Sequence, residues 1–227
     1  MCSDGKMETL TKVQFLANVL VAGLVCGWLW NGGGRRPKVT WMFWLGSLAG
    51  IVINVLYAVA CLVPELAPIF HEHGVMEMTT PVYALGATIL YIAIAPRVSR
   101  WFLLPAGLAL LLALEEVSWG WIWASSVLPA EWFAANVQGE TNVHNFFNPL
   151  FPLMYELLGW TCFGLAVRAW RAVDERPEGW RVLLPGADIA GLLVLMFLFR
   201  FWQETCEEMF ALAMLLHAGV SWRRAPP

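Results

Sequence analysis

A chain of 227 residues that is 59% hydrophobic and only 14% charged, with a mean hydropathy of +0.61, falls well short of the roughly 25% charged residues of a soluble domain and reads as an all-α, multi-pass membrane bundle. A net charge of -3 with just three lysines (Lys6, Lys12, Lys38) leaves no basic patch for nucleic acid. The five cysteines, at positions 2, 26, 61, 162 and 206, form no CxxC and sit mostly in apolar runs, so they read as core thiols and not as a disulfide frame or zinc knuckle.

Spans are read as apolar runs of about 20 residues. The polar stretch Met1 to Lys12 is unlike a signal peptide, and the first run, Val13 to Trp30, is long enough to stay as a span. Gly32-Gly33-Gly34-Arg35-Arg36-Pro37-Lys38 ends it. The second run is Trp41 to Val63. A polar segment, Glu65 to Thr79, carries His71, Glu72, His73 and Glu77. The third run, Pro81 to Ala95, is short and leads into the basic loop Arg97 to Arg100. The fourth, Trp101 to Trp123, carries Glu115 and Glu116. In the segment from Ala124 to Asn148, Pro129-Ala130-Glu131-Trp132-Phe133 reads as a short interfacial helix with proline near its start. The fifth run, Leu150 to Trp170, is followed by a loop holding Arg171, Asp174, Glu175, Arg176, Glu178 and Arg181.

The last third admits two readings. Pro185-Gly186-Ala187-Asp188 looks like a helix start, and from Leu192 to His217 no Gly, Pro, Asn, Asp or Ser announces a turn. This favours one helix from Ala187 to Trp222, about 50 Å long at 1.5 Å per residue, and six spans in all. The alternative is two short spans with a turn near Gln203, seven in all, which returns Arg223 and Arg224 to the cytoplasm. Lysine and arginine mark cytoplasmic loops. The loops 31–40, 96–101 and 168–181 hold Arg35, Arg36, Lys38, Arg97, Arg100, Arg168, Arg171, Arg176 and Arg181, whereas 64–79 and 124–149 hold none. That alternation places the N-terminus outside and both His/Glu-bearing loops on the extracytoplasmic side of a bacterial inner membrane. Several of the 14 tryptophans lie near span ends, as an aromatic belt requires. No internal repeat is present, and residues 1–227 form a single integral membrane domain.

Function is expected where charge enters these apolar runs. An intramembrane carboxylate costs several kcal/mol unless it faces a partner, a metal or water. Glu115 and Glu116 point about 100° apart, so only one faces the bundle axis. On a continuous last helix, Arg200 and Glu204 pair at i,i+4, and Glu204, Glu207 and Glu208 share the same stripe. Counted from the cytoplasmic ends, Glu116 lies about 22 Å and Glu204 about 25 Å along their helices, so both reach the outer half of the membrane. Five carboxylates against one arginine leave an excess to be relieved by protonation, a metal, a cationic ligand or water. The competing reading is an ion-pair network that fixes helix register.

A second constellation runs from Asn136 to Asn148 and places Glu140 four residues before His144, the residue type most used as acid/base and metal ligand; its asparagines otherwise cap helices and turns. His71-Glu72-His73 is a weak metal signal and reads as a solvated loop. His217, Asp188 and Glu156 read as satisfied polar residues, with Glu156 also a candidate lining residue. The late helices hold no lysine, so a retinal Schiff base is unavailable, and no GxSxG, HExxH or phosphate-binding glycine loop occurs.

Glu115-Glu116-Val117-Ser118-Trp119-Gly120, followed by Asn136-Val137-Gln138-Gly139-Glu140-Thr141-Asn142-Val143-His144-Asn145, resembles the EExSWG…NxQxExNxHN core of a group of uncharacterised bacterial multi-pass membrane proteins over about 30 residues. A weaker similarity is to CAAX-type intramembrane proteases, whose EExxxR and HxxxN motifs match Glu115-Glu116 and His144 with Asn148; Gly120 stands where that family has arginine.

The expected function is a membrane-embedded enzyme acting on a lipid or other apolar substrate. Glu115 or Glu116 would be general base or metal ligand, His144 acid/base or ligand, and Glu140 its orienting partner. Ser118, Trp119, Asn142, Asn145, Asn148, Arg200, Glu204, Glu207 and Glu208 would line the cavity. A divalent metal held by Glu116, Glu140, His144 and Glu204 would be Zn, Fe or Mn, since the donors include no thiolate. The rivals are a proton- or cation-coupled transporter or channel, and a non-catalytic subunit of a larger membrane complex.

Overall fold

The computed structural model describes residues 16–25, 27, 40–63, 65, 78–117, 131, 150–172, 179–200 and 202–225; the side chains of Cys61, Phe151, Gln203 and Glu204 fall outside that description. The described residues form seven α-helices and no strand. In chain order these are α1 (Leu16–Val25), α2 (Trp41–Leu62), α3 (Thr79–Ile94), α4 (Leu103–Glu116), α5 (Phe151–Arg171), α6 (Ala190–Phe199) and α7 (Gln203–Arg224). The first five lie within the expected apolar runs, to within two residues at their ends.

Local chemistry sets the boundaries. Thr40 caps α2, its hydroxyl accepting from the Met42 amide at 3.2 Å. Ser99 starts the 3₁₀ turn Arg100–Phe102 that leads into α4. Proline stands in the first turn of α5, and Arg168 and Arg171 in its last, where they complement the helix dipole.

The single helix expected from Ala187 to Trp222 is instead a hairpin. Helix α6 stops at Phe199, and Trp202 adopts an extended conformation (φ -98°, ψ 91°) before α7 begins. The two helices run antiparallel, because Arg224 at the end of α7 returns to Asp188 at the start of α6, with Nη2 to Oδ2 at 2.6 Å. On one continuous helix those residues would be about 54 Å apart. No glycine or proline makes the turn; side chains do. Trp202 N–H closes on the Phe199 carbonyl at 2.9 Å. The Trp202 ring stacks on Phe199 and packs against Tyr57 of α2. Arg200 donates through Nη1 to the Phe197 carbonyl at 2.7 Å, satisfying an acceptor that the stopped helix leaves open.

Both antiparallel and parallel neighbours surround the hairpin. Helix α5 runs against α6, with Glu156 beside Arg200 and Cys162 beside Met196. Helix α3 runs parallel to α7, with Thr79 beside Glu208 and Tyr91 beside His217. Helix α4 returns along α3, with Phe102 stacked on Tyr91 and Ala113 packed on Ala84. Glycines let α2 approach the hairpin: a Cβ at Gly50 would come within 2.8 Å of both Leu192 and Leu195, and one at Gly46 within 2.8 Å of Leu216.

Two stretches, Trp41–Ala60 and Gly179–Phe199, are long and apolar enough to cross a membrane, and most of their residues are not buried inside the protein. Large apolar side chains on α1 to α5 face outward, including Leu24, Trp44, Ile89, Leu104 and Leu157.

The Asp188 clasp closes the open end of the hairpin. Asp188 is buried and accepts from the Thr40 hydroxyl at 2.5 Å, the Thr40 amide at 3.3 Å and Arg224. Asp188→Ala should cost about 1–3 kcal/mol, because it orphans three donors. Arg224→Ala should cost under about 1 kcal/mol, because that arginine is mostly exposed. Thermal unfolding in detergent checks the order; equal losses would contradict the clasp.

Candidate polar site at the hairpin tip

The tip of the hairpin gathers polar side chains from most of the bundle. Arg200 is 3% exposed. Its Nε bonds Glu156 at 2.9 Å and its Nη2 the Asn18 Oδ1 at 3.3 Å. The guanidinium also lies over Phe197, at 4.7 Å from the ring centroid, and near Trp160, at 5.7 Å. Gly159, one turn from Glu156 on α5, is what admits the arginine: a Cβ there would collide with its side-chain carbons. Helix α5 thus offers a slot for the stem and a carboxylate for the head.

Two further carboxylates follow in the first turns of α7. Tyr155 donates its hydroxyl to Glu207, and Thr79 donates to Glu208 Oε1 at 2.5 Å. Glu208 is buried. Below it, Ala84, Ala113 and Ala211 pack together where α3, α4 and α7 meet. Glu116 lies one turn beyond Ala113, Thr80 one turn beyond Ala84, and Glu208 one turn beyond Ala211, all toward the tip. Small residues at the contact bring the backbones close, so Glu116 and Glu208 share a level on adjacent helices. Glu115 and Glu116 are half-buried, and both engage in interactions. On α2, Asn54 donates to the Gly50 carbonyl at 2.7 Å, while its buried Oδ1 has no partner among the described residues.

Of the expected site residues, Glu115, Glu116, Arg200, Glu207 and Glu208 all stand at this end. Arg200 and Glu204 do not share one helix face, because the helix breaks between them, and Arg200 reaches Glu156 on α5. Ser118, Trp119, Glu140, Asn142, His144, Asn145 and Asn148 lie outside the described residues, as do His71, Glu72, His73, Glu77 and the side chain of Glu204. Among the described residues no group of three or more His, Cys, Asp or Glu could hold a metal ion.

Asp188 lies at the opposite end. His217 lies well below the tip, its Nδ1 2.9 Å from the Tyr91 hydroxyl and its ring against Phe102. Asn18, Asn54, Thr79 and Tyr155 join the site without having been singled out. For the two asparagines the signal is a lone amide inside an apolar run.

The charge ledger changes accordingly. Glu156 offsets Arg200, and Glu207 and Glu208 each accept from a hydroxyl donor. A carboxylate held by a hydroxyl away from water can take up a proton or a cation without moving its neighbours. The opposite end holds the other described arginines: Arg97, Arg100, Arg168, Arg171, Arg181, Arg223 and Arg224. There Arg97 lies over Trp222 and Arg223 over Trp41.

No family model, curated protein or solved structure matches this chain.

The Arg200–Glu156 pair gives a sharp test. Glu156→Ala alone should destabilise by about 2–4 kcal/mol, because it strands a buried guanidinium, whereas Arg200→Met with Glu156→Leu should recover most of that loss. Thermal or denaturant unfolding in micelles measures the cycle; no recovery in the double variant would show that the pair does not act as a unit.

Proposed function

We propose that this chain is a seven-span protein of the bacterial inner membrane that works as a membrane-embedded enzyme on a lipid or other apolar substrate, at a site open to the extracytoplasmic side. The N-terminus is extracytoplasmic and the C-terminus cytoplasmic. The separation of charge supports this orientation: the described arginines other than Arg200 crowd one end, and the carboxylates of α4 and α7 the other. The apolar outer faces of α1 to α5 suit hydrocarbon.

The observation that carries the enzymatic reading is convergence on one end above a packed floor. Helix α4 ends and α5 begins at the tip, so the connecting segment with Glu140 and His144 is tethered there at both ends. Glu115 or Glu116 then serves as general base, His144 as its acid/base partner and Glu140 as the group that orients it. Below the tip, Tyr91, Ile94, Phe102, Leu192, Met196 and Met209 are almost wholly buried. That interior favours chemistry at one face over a polar conduit, and so over the transporter reading.

Reconstituted protein should consume a component of a bacterial lipid extract, read by mass spectrometry. Glu116→Gln or His144→Ala should slow that turnover by about 10²–10⁴-fold, with folding intact. Ion-gradient-dependent flux with an unchanged lipid pool would overturn the enzymatic reading.

Orientation is tested separately. A fluorescent protein fused after Pro227 should light up in the cytoplasm, and alkaline phosphatase at the same point should stay inactive. The reverse pattern would return the chain to an even number of spans.

A further inference from the structure

The outer face of α5 combines two chemistries along one stripe. Leu153, Leu157, Trp160, Gly164, Arg168 and Arg171 recur at spacings of three and four residues and so share a face. Leu153, Leu157 and Trp160 are exposed and apolar. At the foot of the stripe lies a groove of about 310 Å³ lined by Gly164, Val167, Arg168, Arg171 and Ala172. The space beside Gly164 is open, since a Cβ there would meet nothing within 4 Å. All five lining residues lie on α5 and its C-terminal cap, and Val167 packs on the same apolar cluster as Val21 and Val25 of α1.

We propose that this groove binds an anionic phospholipid of the cytoplasmic leaflet, its phosphodiester on Arg168 and Arg171 and its acyl chains along Leu157 and Trp160. Two arginines one turn apart offer forked donors to phosphate oxygens. Both also interact within the protein, but each guanidinium carries five N–H donors. One leaflet of hydrocarbon is about 15 Å deep, or ten residues of helix, which is the distance from Arg168 up to Leu157 and Trp160. The apolar stripe distinguishes this occupant from a free phosphate, and basic pockets between spans on the cytoplasmic side are where anionic headgroups bind. The proposal rests on the orientation given above and not on the chemistry at the opposite end.

The test is native mass spectrometry of the full-length protein, delipidated in detergent and titrated with phosphatidylglycerol or phosphatidylcholine of identical acyl chains. Wild type should prefer phosphatidylglycerol by about 25-fold, at roughly fivefold per arginine, and R168Q/R171Q should lose that preference. Gly164→Leu fills the groove without changing charge and should lose it too, which keeps the test open if the glutamine pair misfolds. The control pair R100Q/R181Q should keep it. Equal binding of the two lipids by folded wild type would overturn the proposal, as would an equal loss in the control pair or full competition by millimolar glycerol phosphate. A fusion that places the C-terminus outside the cytoplasm would instead overturn the shared orientation.

Discussion

Arg200 stands where α6 stops, with its guanidinium withdrawn from water and partners required on every side. It takes the open Phe197 carbonyl from its own helix, Glu156 from α5 and Asn18 from α1. Those contacts do two things at once. They satisfy a helix end that lacks a glycine cap, and they tie α1 and α5 to the point at which the chain reverses. Everything downstream depends on that reversal. If α6 ran on, Glu207 and Glu208 would project away from the bundle rather than meet Tyr155 and Thr79.

The other end of the hairpin is held by the opposite arrangement, a buried carboxylate with a mostly exposed arginine. Asp188 collects Thr40 and Arg224, and Thr40 is also the cap of α2. One side chain therefore fixes where α2 begins and where α7 ends. Between the two polar clasps the contacts are glycine against leucine and methionine, with Gly46 and Gly50 seating α2 against both arms. In hydrocarbon, close packing supplies the attraction that water exclusion supplies elsewhere, so buried polar closures at the ends and small residues along the middle make a coherent division of labour.

Most of the helices were legible because composition and run length speak directly: an apolar run bounded by arginines, prolines or polar clusters is a helix in any context. The carboxylates were legible as anomalies within such runs. The hairpin was not, because turn signals are read from Gly, Pro, Asn, Asp and Ser, and here Arg200, Phe199 and Trp202 make the turn through side-chain contacts with distant helices. The same gap hid a partner of Arg200. Spacing of four residues pointed along one helix to Glu204, while Glu156 comes from 44 residues earlier. The shortness of the two pieces, which counted against the hairpin, reflects a tip that is polar and need not lie in hydrocarbon. Asn18, Asn54 and Tyr155 could have been flagged as isolated polar groups, but only the fold says which of them meet.

The level shared by Glu116 and Glu208 is then a consequence of packing rather than of chance. Alanines one turn below let three helices approach closely, and that approach sets the two residues at one height. The Arg200–Glu156 pair is balanced and can be purely architectural. It supports the turn from which α7 descends, and with it the height at which Glu207 and Glu208 meet Tyr155 and Thr79.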